Sequence, residues 1–157
     1  MTVVSDTSTI TNLLQVGQLG LLRKLYGQVI IPTAVMVELE AIEGQAEILR
    51  QANWIVARTA SNRVLVNQLL QDLDVGESEA IALALEMKAD YLVIDEQQGR
   101  KIALDYGLPI VGLLGVLAAA KDAGHIQTVK PVITAVVENG FHLHKKLVKA
   151  VLRRLNE

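Results

Sequence analysis

The chain has 157 residues, enough for one domain with a buried core, and its formal net charge of −2 does not single out a polyanionic partner. It contains no cysteine, which excludes disulfides, thiolate metal sites and a cysteine nucleophile. The longest apolar run, residues 108–120, is shorter than the about 20 residues of a membrane span, and the N-terminus lacks the pattern of a signal peptide. We therefore expect a soluble, cytoplasmic protein with no membrane contact.

Short apolar segments alternate with helical patterns along the chain. Strands are predicted at residues 3–5, 29–31, 54–57, 91–94 and 109–111. Helices are predicted through residues 10–14, at 19–25, after Pro32, at 63–73, 77–87 and 100–106, and in three later stretches. The hydroxyls of residues 7–9 are expected to cap the first helix, and Gly27 to end the second. This order predicts a parallel sheet covered on both faces, in one domain spanning residues 1–157.

The last segment, residues 141–157, is predicted to form a basic C-terminal helix. Apolar residues at helical spacing predict that it docks by one face: Leu147, Val148, Val151, Leu152 and Leu155. Its basic residues are Lys145, Lys146, Lys149, Arg153 and Arg154. We expect these charges to remain solvated, with binding of RNA or an antitoxin protein as the alternative.

Two of the predicted strands end in an aspartate, Asp6 and Asp95. In open parallel sheets, ligands bind beyond the carboxyl ends of the strands, where the strand order reverses. If the first and fourth strands are neighbours, both carboxylates converge there. For either residue alone, capping of the next helix is an equal alternative.

A third acid is predicted on the helix after Pro32. At about 100° per residue, Glu38 lies about 60° from the centre of the apolar stripe formed by Val35, Leu39 and Ile42. Glu40 points nearly away from that stripe. Glu38 is therefore the better site candidate, and Glu40 is expected to be a solvated charge.

The fourth acid is predicted to be Glu77 or Glu79. The two side chains project about 200° apart on a helix, so they cannot both face one site. Glu77 is preferred because it shares the more apolar side with Ile81 and Leu85. The alternative for Glu77 is a capping box with Asp74.

Several carboxylates gathered at one point require a cation. Two of them about 4 Å apart repel by roughly 4 kcal/mol at an effective dielectric constant of 20. Oxygen ligands without cysteine or clustered histidine favour Mg²⁺ or Mn²⁺ over zinc. Such a site suits cleavage of a phosphodiester and needs no nucleophilic side chain.

The order and spacing of these motifs resemble the PIN-domain family of metal-dependent ribonucleases. Residues 4–8 resemble the family's first motif, a strand ending in aspartate followed by small hydroxyl residues. Residues 31–39 resemble the second, with glutamate before leucine. Residues 77–95 resemble the third and fourth, an acid, a helix, a buried strand and Asp95; the resemblance covers about residues 3–120.

The resemblance implies a three-layer α/β/α sandwich around a parallel sheet, with Asp6, Glu38, Glu77 and Asp95 as catalytic metal ligands. It implies Mg²⁺ or Mn²⁺ as cofactor, single-stranded RNA as substrate, and often a homodimer that is the toxin of a toxin–antitoxin pair. The chain departs from the family in its third acid, which is glutamate rather than aspartate. It also lacks a nearby second aspartate and aromatic residue after Asp95, as in a less-characterised branch of the family.

Further candidates surround these acids. Ser8 is a candidate for substrate or water binding, with helix capping as the alternative. Glu96 is a secondary metal ligand beside Glu79, or else a first-turn helix glutamate. Arg100, one turn beyond Asp95, is a candidate contact for a substrate phosphate. The three histidines, His125, His142 and His144, show no metal-ligand spacing.

The sequence thus predicts a metal-dependent endoribonuclease. The alternative is a non-catalytic module of the same fold that binds nucleic acid or protein. A phosphatase with an aspartyl nucleophile fits less well, because Asp6 is followed by threonine and no companion lysine is evident.

Overall fold

A computed structural model describes all residues, 1–157, and contains five strands and ten helices. The strands are β1 (Val3–Ser5), β2 (Val29–Pro32), β3 (Ile55–Arg58), β4 (Tyr91–Val93) and β5 (Ile110–Val111). The first five helices are α1 (Thr7–Gln15), α2 (Gly20–Tyr26), α3 (Thr33–Ala41), α4 (Ala46–Gln51) and α5 (Arg63–Leu69). The others are α6 (Val75–Met87), α7 (Gln97–Asp105), α8 (Leu113–Asp122), α9 (Lys130–Glu138) and α10 (Lys145–Arg154).

The five strands form one parallel sheet in the order β3-β2-β1-β4-β5. β1 is central, and Val4 is in register with Ile30 of β2 on one side and Leu92 of β4 on the other. The chain runs from β1 to β2 and β3 in one direction and then returns to add β4 beside β1. The strand order therefore reverses between β1 and β4, so the two predicted strand-end aspartates do lie on neighbouring strands.

Alternate side chains of each strand enter different halves of the core. Val3 and Ile31 belong to a cluster of 24 buried residues built with α1, α2, α3, α8 and α9. Val4 and Ile30 belong to a second cluster of 16 buried residues built with α5, α6 and α7. Two apolar layers on opposite faces explain why the strands are apolar throughout rather than alternating. The predicted α/β/α sandwich with a central parallel sheet is confirmed.

Helix ends show where local sequence signals succeeded and failed. The expectation that residues 7–9 cap α1 is wrong, because Asp6 is the N-cap and its side chain accepts from the Thr9 N–H. Gly27 does end α2, with φ of 75°. Pro32 is the last residue of β2 and precedes α3 as its N-cap rather than forming its first turn. α4 was not predicted; it has six residues and no side-chain cap.

The C-terminal helix α10 packs on the first core cluster through Val148, Val151 and Leu152. Leu147 was expected in the same stripe, but it is 59% exposed and does not pack on this cluster, so the prediction is wrong for this residue. The carboxylate of Glu157 fixes the chain end by accepting from the backbone N–H groups of Val129 and Lys130. None of the ten helices has the length and apolar character needed to cross a membrane.

Candidate functional site

A small polar cavity opens at the carboxyl end of β1. Its volume is about 140 Å³, which is room for a cation with several water molecules. Seven residues line it, none of them hydrophobic: Asp6, Thr7, Ser8, Glu38, Asp74, Glu77 and Glu96. Five of the seven carry carboxylates and none carries a positive charge, so the cavity concentrates negative charge at the reversal of the strand order.

Asp6 is the most buried of these acids, with 3% of its surface exposed. Its Oδ1 accepts from the Thr9 N–H at 3.4 Å, and its Oδ2 accepts from the Ser8 hydroxyl at 3.2 Å and the Asp95 N–H at 3.4 Å. Burial, and next the negative charge of Asp95, raise the pKa of Asp6 to about 7. These three donors lower the pKa but do not offset the burial. The three hydrogen bonds therefore fix the orientation of the Asp6 carboxyl group, and its burial disfavours the ionised form.

Asp95 lies beside Asp6, and its carboxylate is hydrogen-bonded to two other parts of the chain. Its Oδ2 accepts from the Thr9 hydroxyl at 2.5 Å, and its Oδ1 accepts from the Leu113 N–H at 2.8 Å. Both oxygens are thus engaged by α1 and by the first turn of α8. Asp95 does not line the cavity. The two predicted anchors of the site are adjacent, but only Asp6 opens into it.

Glu38 reaches the cavity from α3. Its Oε2 accepts from the Thr7 hydroxyl at 2.7 Å, which ties α3 to the first turn of α1. The residue is exposed, as is Glu40, so burial does not separate the two. The two residues differ in their position around α3, because Glu38 lines the cavity and Glu40 does not.

Glu77 enters from the first turn of α6 and is 9% exposed. The capping alternative is half right: Asp74 Oδ1 accepts from the Glu77 N–H at 2.8 Å, but the Glu77 carboxylate is not used in return. Its Oε2 is buried without a hydrogen-bond partner. Burial, then a side-chain hydrogen bond with Asp74 and the Asp74 charge, and then the charges of Glu96 and Asp6 raise the pKa of Glu77 to about 8.

Glu79 points elsewhere, as the helical spacing requires. It forms a two-pronged ion pair with Arg63, with N–O distances of 2.9 and 2.7 Å, between α6 and α5. The two N–H groups of an arginine guanidinium can donate to both oxygens of a carboxylate at once. The structure therefore places Glu79 in a helix–helix contact and Glu77 at the cavity.

Of the three remaining predicted site residues, two line the cavity and one does not. Ser8 lines the cavity and donates to Asp6 rather than capping α1. Glu96 also lines the cavity and is the N-cap residue of α7, although its side chain makes no cap bond. Arg100 does not line it; its Nη1 donates to the Ile94 carbonyl at 2.9 Å, on the Asp95 side of the site.

Three glycines let the acids approach the backbone closely. A Cβ at Gly99 would lie 2.5 Å from Glu77 Oε2, and one at Gly112 would lie 2.8 Å from Asp95 Oδ1. A Cβ at Gly76 would lie 3.1 Å from Glu38 Oε1. Side chains at the first two positions would displace these carboxylates, because contacts under 3.0 Å are too short. The glycines thus shape the site as directly as the acids do.

The donor chemistry of the cavity fits a hard divalent cation. All the donors are oxygens, and Glu77 Oε2 is an unpartnered buried acceptor at the cavity. The acids are not arranged as a ready-made cage, since no group of three or more could hold an ion as they stand. Mg²⁺ keeps several of its waters in proteins and takes one or two carboxylates directly, which suits donors spread around a 140 Å³ space.

Sequence reasoning missed four contributors. Asp74 was weighed only as a helix cap, although it also lines the cavity. Thr7 and Thr9 were read as caps, whereas their hydroxyls bind Glu38 and Asp95. Gly99 gave no signal, because its role depends on an acid 22 positions earlier. Only the Asp74-x-x-Glu77 spacing was visible in advance.

Comparison with known families agrees with the motifs. A family model described as a PIN domain matches residues 2–157, nearly the whole chain. No curated protein matches the chain. The chain therefore belongs to the PIN domain family, and the predicted family is confirmed.

Proposed function

We propose that this member of the PIN domain family is a metal-dependent endoribonuclease that hydrolyses phosphodiester bonds in single-stranded RNA. PIN domains have a nuclease-type fold, which supports the reaction class. The observation that carries the proposal is the cavity itself, with five carboxylates and no lysine or arginine. Such a collection of like charges repels itself, and a bound cation would relieve the repulsion that otherwise raises the pKa values of Asp6 and Glu77.

We assign Asp6, Glu38 and Glu77 as the residues that would hold Mg²⁺ or Mn²⁺. Asp6 is oriented by Ser8 and by two backbone N–H groups, and Glu38 is oriented by Thr7. Glu77 offers the unpartnered oxygen. A bound divalent ion supplies Lewis acidity toward a phosphate oxygen and makes water a better nucleophile at neutral pH.

Side chains of the protein itself would contact and orient the substrate phosphate. The Thr7 and Ser8 hydroxyls lie at the cavity and donate to Glu38 and Asp6, and Ser8 would contact a substrate phosphate by turning its hydroxyl hydrogen away from Asp6. Arg100, on the Asp95 side, is a second candidate contact for the phosphate. The attacking group in this proposal is water, which a bound divalent ion would make a better nucleophile.

The partners follow from the same proposal. RNA is the substrate, a second copy of the chain forms a homodimer in the cytoplasm, and a small antitoxin protein is a candidate inhibitor. The charged face of α10 is a candidate contact for either RNA or antitoxin, because Lys145, Lys146 and Lys149 are exposed.

The test is cleavage of end-labelled single-stranded RNA in Mn²⁺ and in EDTA. Wild type is expected to cut only with Mn²⁺, and Asp6→Asn and Glu77→Gln to lose at least about 100-fold in rate. Glu40→Gln is the matched control, since it removes one exposed charge from α3 outside the cavity. Cleavage that survives Asp6→Asn would refute the proposed site.

The second candidate is a non-catalytic module that binds RNA or protein, which the lack of a ready-made cage favours. It predicts RNA retention without cutting at any metal concentration. Gel-shift and cleavage assays on the same labelled RNA separate the two.

A further inference from the structure

An exposed arginine, Arg58, ends β3 at the same edge of the sheet as the cavity. It is in register with Pro32 of β2. β1 and β2 pair in parallel through Val4 and Ile30, so Asp6, two residues further along, is level with Pro32. Since neighbouring strands lie about 4.8 Å apart, the backbone of Arg58 is about 10 Å from that of Asp6. Arg58 therefore stands beside the cavity, on the side of β3.

The charge of Arg58 has no partner within the protein. The four ion pairs do not include it, whereas Arg63, five residues later, binds both oxygens of Glu79. Residues 57–64 contain no acid. A charged residue on an edge strand also hinders pairing with another sheet, so the free charge alone does not identify a ligand.

Two exposed hydroxyls accompany Arg58. Thr33, the first residue of α3, and Thr59 form a hydrogen bond between their Oγ1 atoms at 2.8 Å. A hydroxyl has one hydrogen, so the threonine that accepts this bond keeps its own hydrogen free to donate. We call Thr33, Arg58 and Thr59 the β3 surface; it offers a positive charge and a hydroxyl donor, which are the groups that bind phosphate oxygens.

The segment that carries the β3 surface is fixed to the body of the protein. The Ser61 N–H donates to Glu86 Oε1 of α6 at 2.8 Å, and Arg63 Nη1 donates to the Ala60 carbonyl at 3.2 Å. The ion pair of Arg63 with Glu79 adds a second link to α6. A ligand would thus meet an ordered surface and would not have to order a loop on binding.

Cations therefore flank the acids on both sides. A Cβ at Gly112, which follows β5, would lie 2.7 Å from Arg100 Nη1, so the Arg100 guanidinium lies at the β5 side. Arg58 lies at the β3 side, and the acid cavity lies between them at the end of β1. A polyanion is repelled by the carboxylates themselves, and positive charges on either side would hold it across them.

We propose that single-stranded RNA crosses the carboxyl edge of the sheet from the β5 side to the β3 side, and that the β3 surface binds a phosphate next to the reacting one. Arg58 provides the charge, and the threonine pair provides a hydroxyl donor. This placement rests on the proposed ribonuclease function and adds a substrate-binding surface to it.

The test is RNA binding without cleavage, measured by fluorescence anisotropy of a labelled oligouridylate in EDTA at several KCl concentrations. Arg58→Gln is expected to bind about fivefold more weakly at low salt, and to reduce the slope of log affinity against log salt by about 0.7. Arg23→Gln is the matched control, since Arg23 is exposed, forms no ion pair, and lies in the last turn of α2, before the amino end of β2. With Mn²⁺, Arg58→Gln is expected to raise KM about fivefold and to change kcat by less than about twofold.

A second variant separates RNA binding from protection of the edge strand. Thr33→Val keeps the charge of Arg58 and is expected to weaken binding about threefold with an unchanged salt slope, because it removes only a neutral donor. Circular dichroism and gel filtration show whether Arg58→Gln folds and stays dispersed; if it does not, Thr33→Val decides.

Each result has one meaning for the β3 surface. Equal salt slopes for wild type and Arg58→Gln would overturn the proposal, as would equal losses in Arg58→Gln and Arg23→Gln. Wild type that binds no oligouridylate at low salt would overturn it too. Wild type that binds RNA through Arg58 but never cuts it in Mn²⁺ would instead refute the proposed ribonuclease and support the binding surface.

Discussion

The buried carboxyl of Asp6 predicts a specific dependence of stability on pH. Its pKa is raised from 3.8 to about 7, chiefly by burial. Between these values the folded state holds a proton that the unfolded state has lost. The free energy of unfolding therefore falls as pH rises toward 7 and is constant above it. The metal-free protein is expected to be more stable at pH 5 than at pH 8.

The size of the effect follows from the same values. At about 1.4 kcal/mol per pH unit, the two units from pH 5 to the pKa of about 7 correspond to about 3 kcal/mol. Asp6→Asn removes this contribution and keeps an N-cap, because asparagine caps helices as well as aspartate does. The contribution of Glu77, whose pKa is raised to about 8, acts in the same direction. Asp6→Asn also removes the Asp6 charge that helps to raise the Glu77 pKa, so the pH profile of the variant is flattened further.

The assay is urea unfolding at pH 5 and pH 8 in EDTA. Wild type is expected to lose about 3 kcal/mol more than Asp6→Asn over this interval, with Asp72→Asn, an exposed aspartate of the same chain, behaving as wild type. Saturating Mn²⁺ at pH 8 should stabilise wild type and not Asp6→Asn. Parallel pH profiles for wild type and Asp6→Asn would refute the account of Asp6 as a buried, protonated acid.

Three further substitutions test contacts around the site. Gly99→Ala should lower the free energy of unfolding by about 1–3 kcal/mol and weaken Mn²⁺ affinity, because the new Cβ would lie 2.5 Å from Glu77 Oε2 and 2.8 Å from Cδ1 of the buried Ile94; unchanged affinity by isothermal calorimetry would contradict this. Thr7→Val should slow Mn²⁺-dependent RNA cleavage by about tenfold by releasing Glu38, with Thr7→Ser restoring the rate. Glu157→Gln should lower the melting temperature at pH 7, because it loosens the chain end from the start of α9. The hydrogen bond from Lys121 lowers the pKa of Glu157 to about 2, so its charge is present at neutral pH. Equal melting temperatures of wild type and variant at pH 7 would count against a stabilising role for the Glu157 carboxylate.

Much of the fold was predictable because its signals are local. Short continuous apolar runs such as residues 29–31, bounded here by Gly27 and Pro32, favour strands buried on both faces, and their alternation with helices favours a parallel sheet. Helix α4 was missed because six residues without a cap carry almost no periodic signal. Its existence depends on packing of Leu49 against the first cluster.

The site was predictable in its residue types and less so in their roles. Helical spacing alone separated Glu77 from Glu79, and the structure places only Glu77 at the cavity. The same reasoning gave no means of seeing that Asp95 turns toward Thr9 and Leu113 while Glu96 turns inward. Side-chain direction after a strand depends on which groups the neighbouring helices offer.

The sequence by itself determined that acids stand at the ends of two buried strands and on two helices, because those positions follow from apolar periodicity. Only the tertiary structure decided which acids share a cavity. Pairing of β1 with β4 brings together residues 89 positions apart, such as Asp6 and Asp95. The donors that then reach each carboxylate decide whether it is held by the protein or left open to a cation, and those donors come from other parts of the chain.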